Sequence, residues 1–276
     1  MKNEMIKRRA FLLAVGAAGV ATAAFADKKF IEIKGRRMSD TEALTFDTGG
    51  TIFDWHAGIS AKLAEIGRAR GVKADWASIT NAYRERSLRA MTAGDDGYRP
   101  DFNMDDVHRQ QIEAVAREHG LASFEDADFD AIRDAWHALG CWPDVPSGLA
   151  RLRGKFIAAS LTILSTRLVI DTCKSAGIVL DAVISCEMIG AYKPRPEAYV
   201  RTAKWLQVPP SKCLMVAAHE FDLAAAARVG FRTALVRRPD EWGVGREPPA
   251  EATDFKPDYV GDSFEDLADQ LGCPAA

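Results

Sequence analysis

Asp47 closes a short apolar run at 43–46 and is followed by Gly49, Gly50 and Thr51. A carboxylate at the C-terminal end of a buried strand, beside flexible backbone N–H groups, sits where open α/β sheets receive their ligands. Such a carboxylate, shielded from water, can attack carbon or phosphorus and form a covalent intermediate. It needs a cation to stay ionised, and Lys193, in Lys193-Pro194-Arg195-Pro196, is the natural candidate. A solvated loop lysine would read the same way, but placement at the strand-end rim favours catalytic use. Thr51 offers a hydroxyl to the carboxylate or to a substrate. Thr162 does too, in competition with Ser160, Ser165 and Thr166. Asp222 stands at the start of an Ala-rich stretch. It would cap a helix there, hold Lys193 or orient a water. An ordinary Asp-Gly turn at 47–50 uses the same residue types, so the surrounding elements must decide.

Those elements follow from periodicity. Helical spacing covers 59–70, with Ile59, Leu63 and Ile66 on one face, and then 76–91, 104–119 and 129–139. A Gly/Asp loop at 92–100 separates the second and third helices. No strand pattern occurs from about 58 to 140, so this block reads as a helical cap inserted after the first strand. After a breaker-rich return at 141–146, Ser147 is expected to cap a helix over 148–153. Strands at 156–164, 182–185, 213–217, 232–236 and 259–260 then alternate with helices at 165–177, 197–206, 222–229 and 263–271. Alternation with short loops predicts an α/β fold with a doubly wound parallel sheet. The expected divisions are a core domain of 42–57 and 141–276 and a cap of 58–140.

The chain of 276 residues has an apolar fraction of 47%, enough for a sizeable core, and a net charge of −3. That charge offers no global attraction to nucleic acid or anionic lipid. Five widely spaced cysteines include no Cys-x-x-Cys pair, which argues against a zinc or redox motif. The N-terminus carries Arg8-Arg9, an Ala-rich apolar run to Ala26 and the small-x-small pattern Ala24-Phe25-Ala26. This resembles a twin-arginine export signal over 1–26, followed by a polar linker at 27–41. The run is short for a membrane span. The expectation is a cleaved signal, a periplasmic protein and no stable membrane insertion.

The ordered set Asp47, Thr162, Lys193 and Asp222 resembles the four motifs of the haloacid dehalogenase superfamily, across about residues 42–272. Ala-Tyr-Lys-Pro-Arg-Pro-Glu-Ala-Tyr at 191–199 and Met-Val-Ala-Ala-His-Glu-Phe-Asp-Leu at 215–223 are most similar to its type II (S)-2-haloacid dehalogenase branch. The resemblance implies a Rossmann-like core with a cap. Thr162 is selected by its spacing to Ala176-Gly177. Tyr199, six residues after Lys193, would line the site. Tyr83-Arg84 resembles an aromatic-Arg pair that sets an arginine over the nucleophile, where a guanidinium could take a carboxylate or a departing halide. His219 stands where the dehalogenases have an Asn, and would act as a substrate contact, as a general base or only as a loop residue.

Phosphatases of this superfamily generally carry a second Asp two residues after the nucleophile, and Gly49 occupies that position. Ala218 takes the place of the first acid of the usual acidic pair, leaving Asp222. Two carboxylates make a poor site for a hard cation, so no metal and no cofactor are expected. Ile163 and Ala217 replace polar residues of the dehalogenases and make the rim more apolar. The resulting expectation is a hydrolase that displaces halide from a short 2-haloacid through an aspartyl ester. Its partner would be a small anionic substrate, with no nucleic acid, and the sequence leaves a homodimer open. A phosphatase with an atypical metal site and a non-catalytic periplasmic binding protein are the alternatives.

Overall fold

The computed structural model describes residues 41–92, 103–246, 249 and 255–275. The export signal, nearly all of the linker and the 92–100 loop from residue 93 onward lie outside the described residues. Strand β1 (Ala43–Phe46) is wholly buried and leads into the Asp47 loop. Four helices follow: α1 (Trp55–Arg70), α2 (Trp76–Thr92), α3 (Met104–Glu118) and α4 (Asp126–Ala135). The chain then runs through α5 (Val145–Arg153), β2 (Ile157–Ser160), α6 (Thr166–Ala176), the short α7 (Cys186–Ile189) and α8 (Pro196–Leu206). It ends with β3 (Cys213–Ala217), α9 (Glu220–Arg228), β4 (Arg232–Val236), β5 (Tyr259–Gly261) and α10 (Phe264–Gln270).

The five strands form a parallel sheet in the order β2-β1-β3-β4-β5, flanked by helices. Phe46 pairs with Ser160 on one side and Val216 on the other. That register puts the ends of β1, β2 and β3 side by side, so the Asp47 loop emerges at the middle of the rim. Asp54 caps α1 by accepting from the Ala57 N–H, and Gly71 ends the helix in the left-handed region, which a residue without Cβ enters at no steric cost. Ile59, Leu63 and Ile66 face inward as their spacing requires.

Several local expectations change. Segment 182–185 is not a strand; only isolated bridges join Ala182 to Ala159 and Ser185 to Thr162. Strand β2 ends at Ser160, four residues early, because the chain turns off the sheet there. The last helix of the inserted block starts at Asp126 rather than 129, with reciprocal hydrogen bonds between Glu125 and Asp128 fixing its first turn. Helix α5 begins at Val145, with Pro146 in its first turn, where a missing N–H costs nothing. Ser147 is therefore inside the helix and caps nothing. Helix α9 begins at Glu220, so Asp222 lies within its first turn instead of capping it. Among the described residues no helix is long and apolar enough to cross a membrane.

Candidate active site

The Asp47 loop is shaped by its own backbone. Asp47 N–H donates to the Val216 carbonyl at the sheet end, and both Ile52 and Phe53 donate to the Thr48 carbonyl. Gly50 has φ 89°. A β-carbon there would also collide with the Glu241 carboxylate, so glycine is required twice over. Gly49 is different. Its φ is ordinary for any residue, but a β-carbon would stand 3.2 Å from Nη2 of Arg84 and 3.6 Å from Leu164 Cδ1. Gly49 is small to leave room for the arginine.

Asp47 is buried and every side of its carboxylate is engaged. Lys193 Nζ donates to Oδ1 at 2.8 Å, and the Thr51 hydroxyl donates to Oδ2 at 2.8 Å. His219 Nδ1 lies 3.3 Å from the same Oδ2. Burial alone would raise this carboxyl, but Lys193, helped by His219, holds it far below the usual carboxylate range. Asp47 is thus a desolvated yet ionised carboxylate.

Lys193 is itself shared. Its ammonium donates to Asp222 Oδ2 at 2.5 Å, and the Tyr199 phenol donates to Asp222 Oδ1 at 2.5 Å. Burial would strip the proton from Lys193, but the two carboxylates raise its pKa instead. Asp222, 1% exposed, is pushed up by burial despite Lys193, and the nearby Asp47 charge adds to that rise. Burial and the same acid push the Tyr199 phenol far up, so it remains a donor. Thr51 links this network to β3 by accepting from the Ala218 N–H at 2.9 Å.

Thr162 is one step removed. Its hydroxyl meets that of Thr48 at 2.7 Å and accepts from the Leu164 N–H, so it steadies the nucleophile loop without touching Asp47. Two of its sequence competitors are otherwise employed: Ser160 bonds the Ile184 carbonyl, and Ser165 caps α6 and reaches Asp105. The third, Thr166, is in the first turn of α6 and bonds no part of the Asp47 loop among the described residues.

Arg84, from α2, is 4% exposed. Its guanidinium lies over the rings of Trp55 and Trp136 at 5.4 and 5.5 Å, a cation–π clasp. Among the described residues, Nε and Nη1 have no hydrogen-bond partner. A buried guanidinium with free donors is a receptor for an anion. Beneath Trp136, His108 stacks at 3.9 Å, held neutral by burial and by the Arg84 charge. Burial pushes the Cys186 thiol up to about 12, which makes it an inert core residue.

Sequence reasoning missed Glu241, Trp55, Trp136 and Thr48. Glu241 sits in the loop after β4, buried, with Oε1 3.0 Å from His219 Nε2 and 3.0 Å from the Trp55 indole N–H. The only sequence signal for it is its position beyond the end of a predicted strand.

Magnesium, which phosphatases of this fold use, does not fit. Asp47 and Asp222 are both bound to one ammonium, and Arg84 fills the space a second acid at position 49 would need. Among the described residues no three His, Cys, Asp or Glu side chains are placed to hold a metal.

A parallel α/β sheet with a lysine-held carboxylate at its rim is an architecture that fits a hydrolase. Residues 41–230 match the haloacid dehalogenase-like hydrolase family, and the chain belongs to that family. It is 30% identical to an (S)-2-haloacid dehalogenase of Xanthobacter autotrophicus, over 75% of this chain and 79% of that one. It is 27% identical to (S)-2-haloacid dehalogenase 1 of a Pseudomonas species, over 73% of this chain and 86% of the other. Among solved structures, a defluorinating L-2-haloacid dehalogenase superposes with a TM-score of 0.77 at 33% identity, covering 84% of this chain and 95% of that one.

Proposed function

We propose that this chain hydrolyses short 2-haloacids through an ester on Asp47. The observation that carries this reading is the ionised, lysine-held Asp47 carboxylate lying under a guanidinium with free donors. Together they form a nucleophile and an anion receptor in one buried place. Arg84 takes the substrate carboxylate or the departing halide. Asp47 attacks C2 from the side opposite the carbon–halogen bond, so the halide leaves and that carbon inverts. Water then attacks the Asp47 carbonyl and a 2-hydroxy acid is released. Lys193 keeps Asp47 ionised, Asp222 and Tyr199 hold Lys193, Thr51 orients Oδ2, and Thr162 acts through Thr48. The (S)-2-haloacid dehalogenases among the relatives support this substrate class.

Halide release from a panel of 2-haloacids, with and without chelator, tests the reading in wild type and Asp47→Asn. Chelator-resistant release in wild type and none in the variant is expected. Silence of the wild type toward every haloacid would overturn it.

The helical segment 58–140 is proposed to act as a cap over the core of 42–57 and 141–276. The N-terminal Arg8-Arg9 and its apolar run support a further proposal of export by the twin-arginine route. Retention in the cytoplasmic fraction after Arg8→Lys with Arg9→Lys, against periplasmic recovery of the unaltered chain, is the expected result.

A further inference from the structure

The two half-reactions make opposite demands on the groups around Asp47. Displacement needs an anion there, whereas hydrolysis needs a base beside a neutral ester. Lys193 serves the first demand but not the second, because Asp222 still faces its ammonium at 2.5 Å when Asp47 is esterified and keeps it protonated. Asp222 is occupied by Lys193 and Tyr199. Among the described residues, the remaining titratable side chain against Asp47 is His219, and it is backed by a second acid. Its Nδ1 faces Asp47 Oδ2 at 3.3 Å, while Nε2 lies 3.0 and 3.1 Å from the two oxygens of Glu241.

Glu241 is fixed from three sides. The Trp55 indole N–H donates to it, Gly50 leaves space for it, and His219 gives it a charge partner. Burial would raise this carboxyl, but the His219 charge keeps it below its usual value. A buried carboxylate on one imidazole nitrogen fixes the tautomer and stabilises the imidazolium, while the other nitrogen faces the reacting group.

We propose that His219 and Glu241 form the acid–base pair of the hydrolytic half-reaction: His219 is the base that activates water against the Asp47 ester, and Glu241 is its positioning residue. This rests on the dehalogenase reading above. In the resting enzyme His219 is an imidazolium held by two anions; burial opposes the charge, but Glu241 and then Asp47 raise its pKa well above the ordinary value. Displacement of halide turns Asp47 into a neutral ester, removing one of those anions. His219 then yields its proton to solvent, and the halide departs as the counter-anion. A cleft of about 1070 Å³, lined by His219, Glu241, Phe221 and Trp242 among others, gives the proton its exit. Neutral Nδ1 next removes a proton from water as the water oxygen bonds to the Asp47 carbonyl carbon. Collapse of the tetrahedral adduct breaks the bond to the substrate oxygen, which takes the second proton of that water. The 2-hydroxy acid leaves, and the Asp47 carboxylate and His219 imidazolium are restored. One water is consumed, and one proton and one halide are released per turnover.

The test separates the halves of the reaction in the full chain, using 2-chloropropionate as probe. Halide is followed by rapid quench and the Asp47 ester by intact-protein mass. Wild type should turn over continuously. His219→Gln should give a burst of about one halide per site, accumulate ester and fall roughly 10²–10⁴-fold in turnover. Glu241→Gln should hydrolyse the ester more slowly. Its rate, which rises with pH as the imidazole loses its proton, should have that limb displaced to lower pH, a shift that simple loosening of the fold would not produce. Wild-type turnover in His219→Gln without ester would overturn the proposal. Loss of the burst in a variant that keeps the wild-type circular dichroism would overturn it too, by moving His219 to the first half. A wild type that releases no halide instead overturns the dehalogenase reading, and the proposal with it, so the two failures are distinguishable.

Discussion

Nη2 of Arg84 lies 3.2 Å from the point where Gly49 would carry a β-carbon, although the Gly49 backbone does not itself require glycine. A guanidinium from the inserted helices therefore occupies the space over the position at which phosphatases of this fold keep a second acid. The same residue choice leaves no acid at position 49 and leaves room for the guanidinium. Gly49→Asp should pair with Arg84 and withdraw it from the substrate. The KM for 2-chloropropionate should rise about 10–100-fold, the loss of one hydrogen bond to a charged group. Gly49→Ala needs a shift of only a few tenths of an ångström and should cost far less. Steady-state kinetics of the two variants checks this, and equal KM values in wild type and Gly49→Asp would sink it.

Lys193 is the single ammonium between two buried carboxylates, at 2.8 and 2.5 Å. Lys193→Met leaves Asp222 without a charge partner and Asp47 with only His219. Breaking a buried pair in this way costs about 3–5 kcal/mol. Urea unfolding should show that loss near neutral pH and a partial recovery in mild acid, as a carboxylate becomes protonated. Halide release should vanish even in the fraction that remains folded.

His219 gives the stability a pH signature of definite sign. Its folded pKa lies well above the ordinary value, because Glu241 and Asp47 outweigh the burial that would lower it. The stability it contributes is fully present below the unfolded histidine pKa, about 6.5. It is lost as pH rises from there through the raised folded value. Wild type should therefore lose more Tm than His219→Gln between about pH 6.5 and the alkaline limb. Parallel Tm profiles for the two proteins would contradict the assignment.

Tyr199 donates to Asp222 Oδ1 at 2.5 Å, and nothing else described reaches that oxygen. Tyr199→Phe keeps the ring and removes the donor. The lost charge-assisted hydrogen bond should lower stability by about 1.5–3 kcal/mol. The kcat for halide release should fall roughly tenfold, with KM little changed, since the phenol does not touch Arg84. Thermal unfolding and kinetics on one preparation measure both effects.

The parts of the site that could be read from the sequence are those announced by local patterns. Asp47 closes an apolar run, and Lys193 lies in a Pro-rich rim loop. Asp222 precedes an Ala-rich segment. In a parallel sheet, strand ends share one rim, so these residues had to approach one another once the alternation of strands and helices was recognised. Apolar β-branched runs look alike in a strand and in a buried connection, so β2 is shorter than its pattern predicts and 182–185 forms only isolated bridges. The helix starts at Val145 and Asp126 were displaced because a proline in the first turn and a reciprocal acidic cap outweigh an isolated serine or the apolar period.

The sequence by itself determined the strand-end carboxylate Asp47, the rim lysine that meets it, the glycine at 49 and the parallel sheet that positions them. These depend on residue type and short-range periodicity. Tertiary structure alone decided that Arg84 is sandwiched between Trp55 and Trp136, that Thr162 acts through Thr48, and that Glu241 backs His219. Those contacts join residues 22 to 114 apart in the chain, as Glu241–His219 and Thr162–Thr48 illustrate. No local pattern records such a distance, because the energy that favours each contact appears only when burial has removed water from both partners.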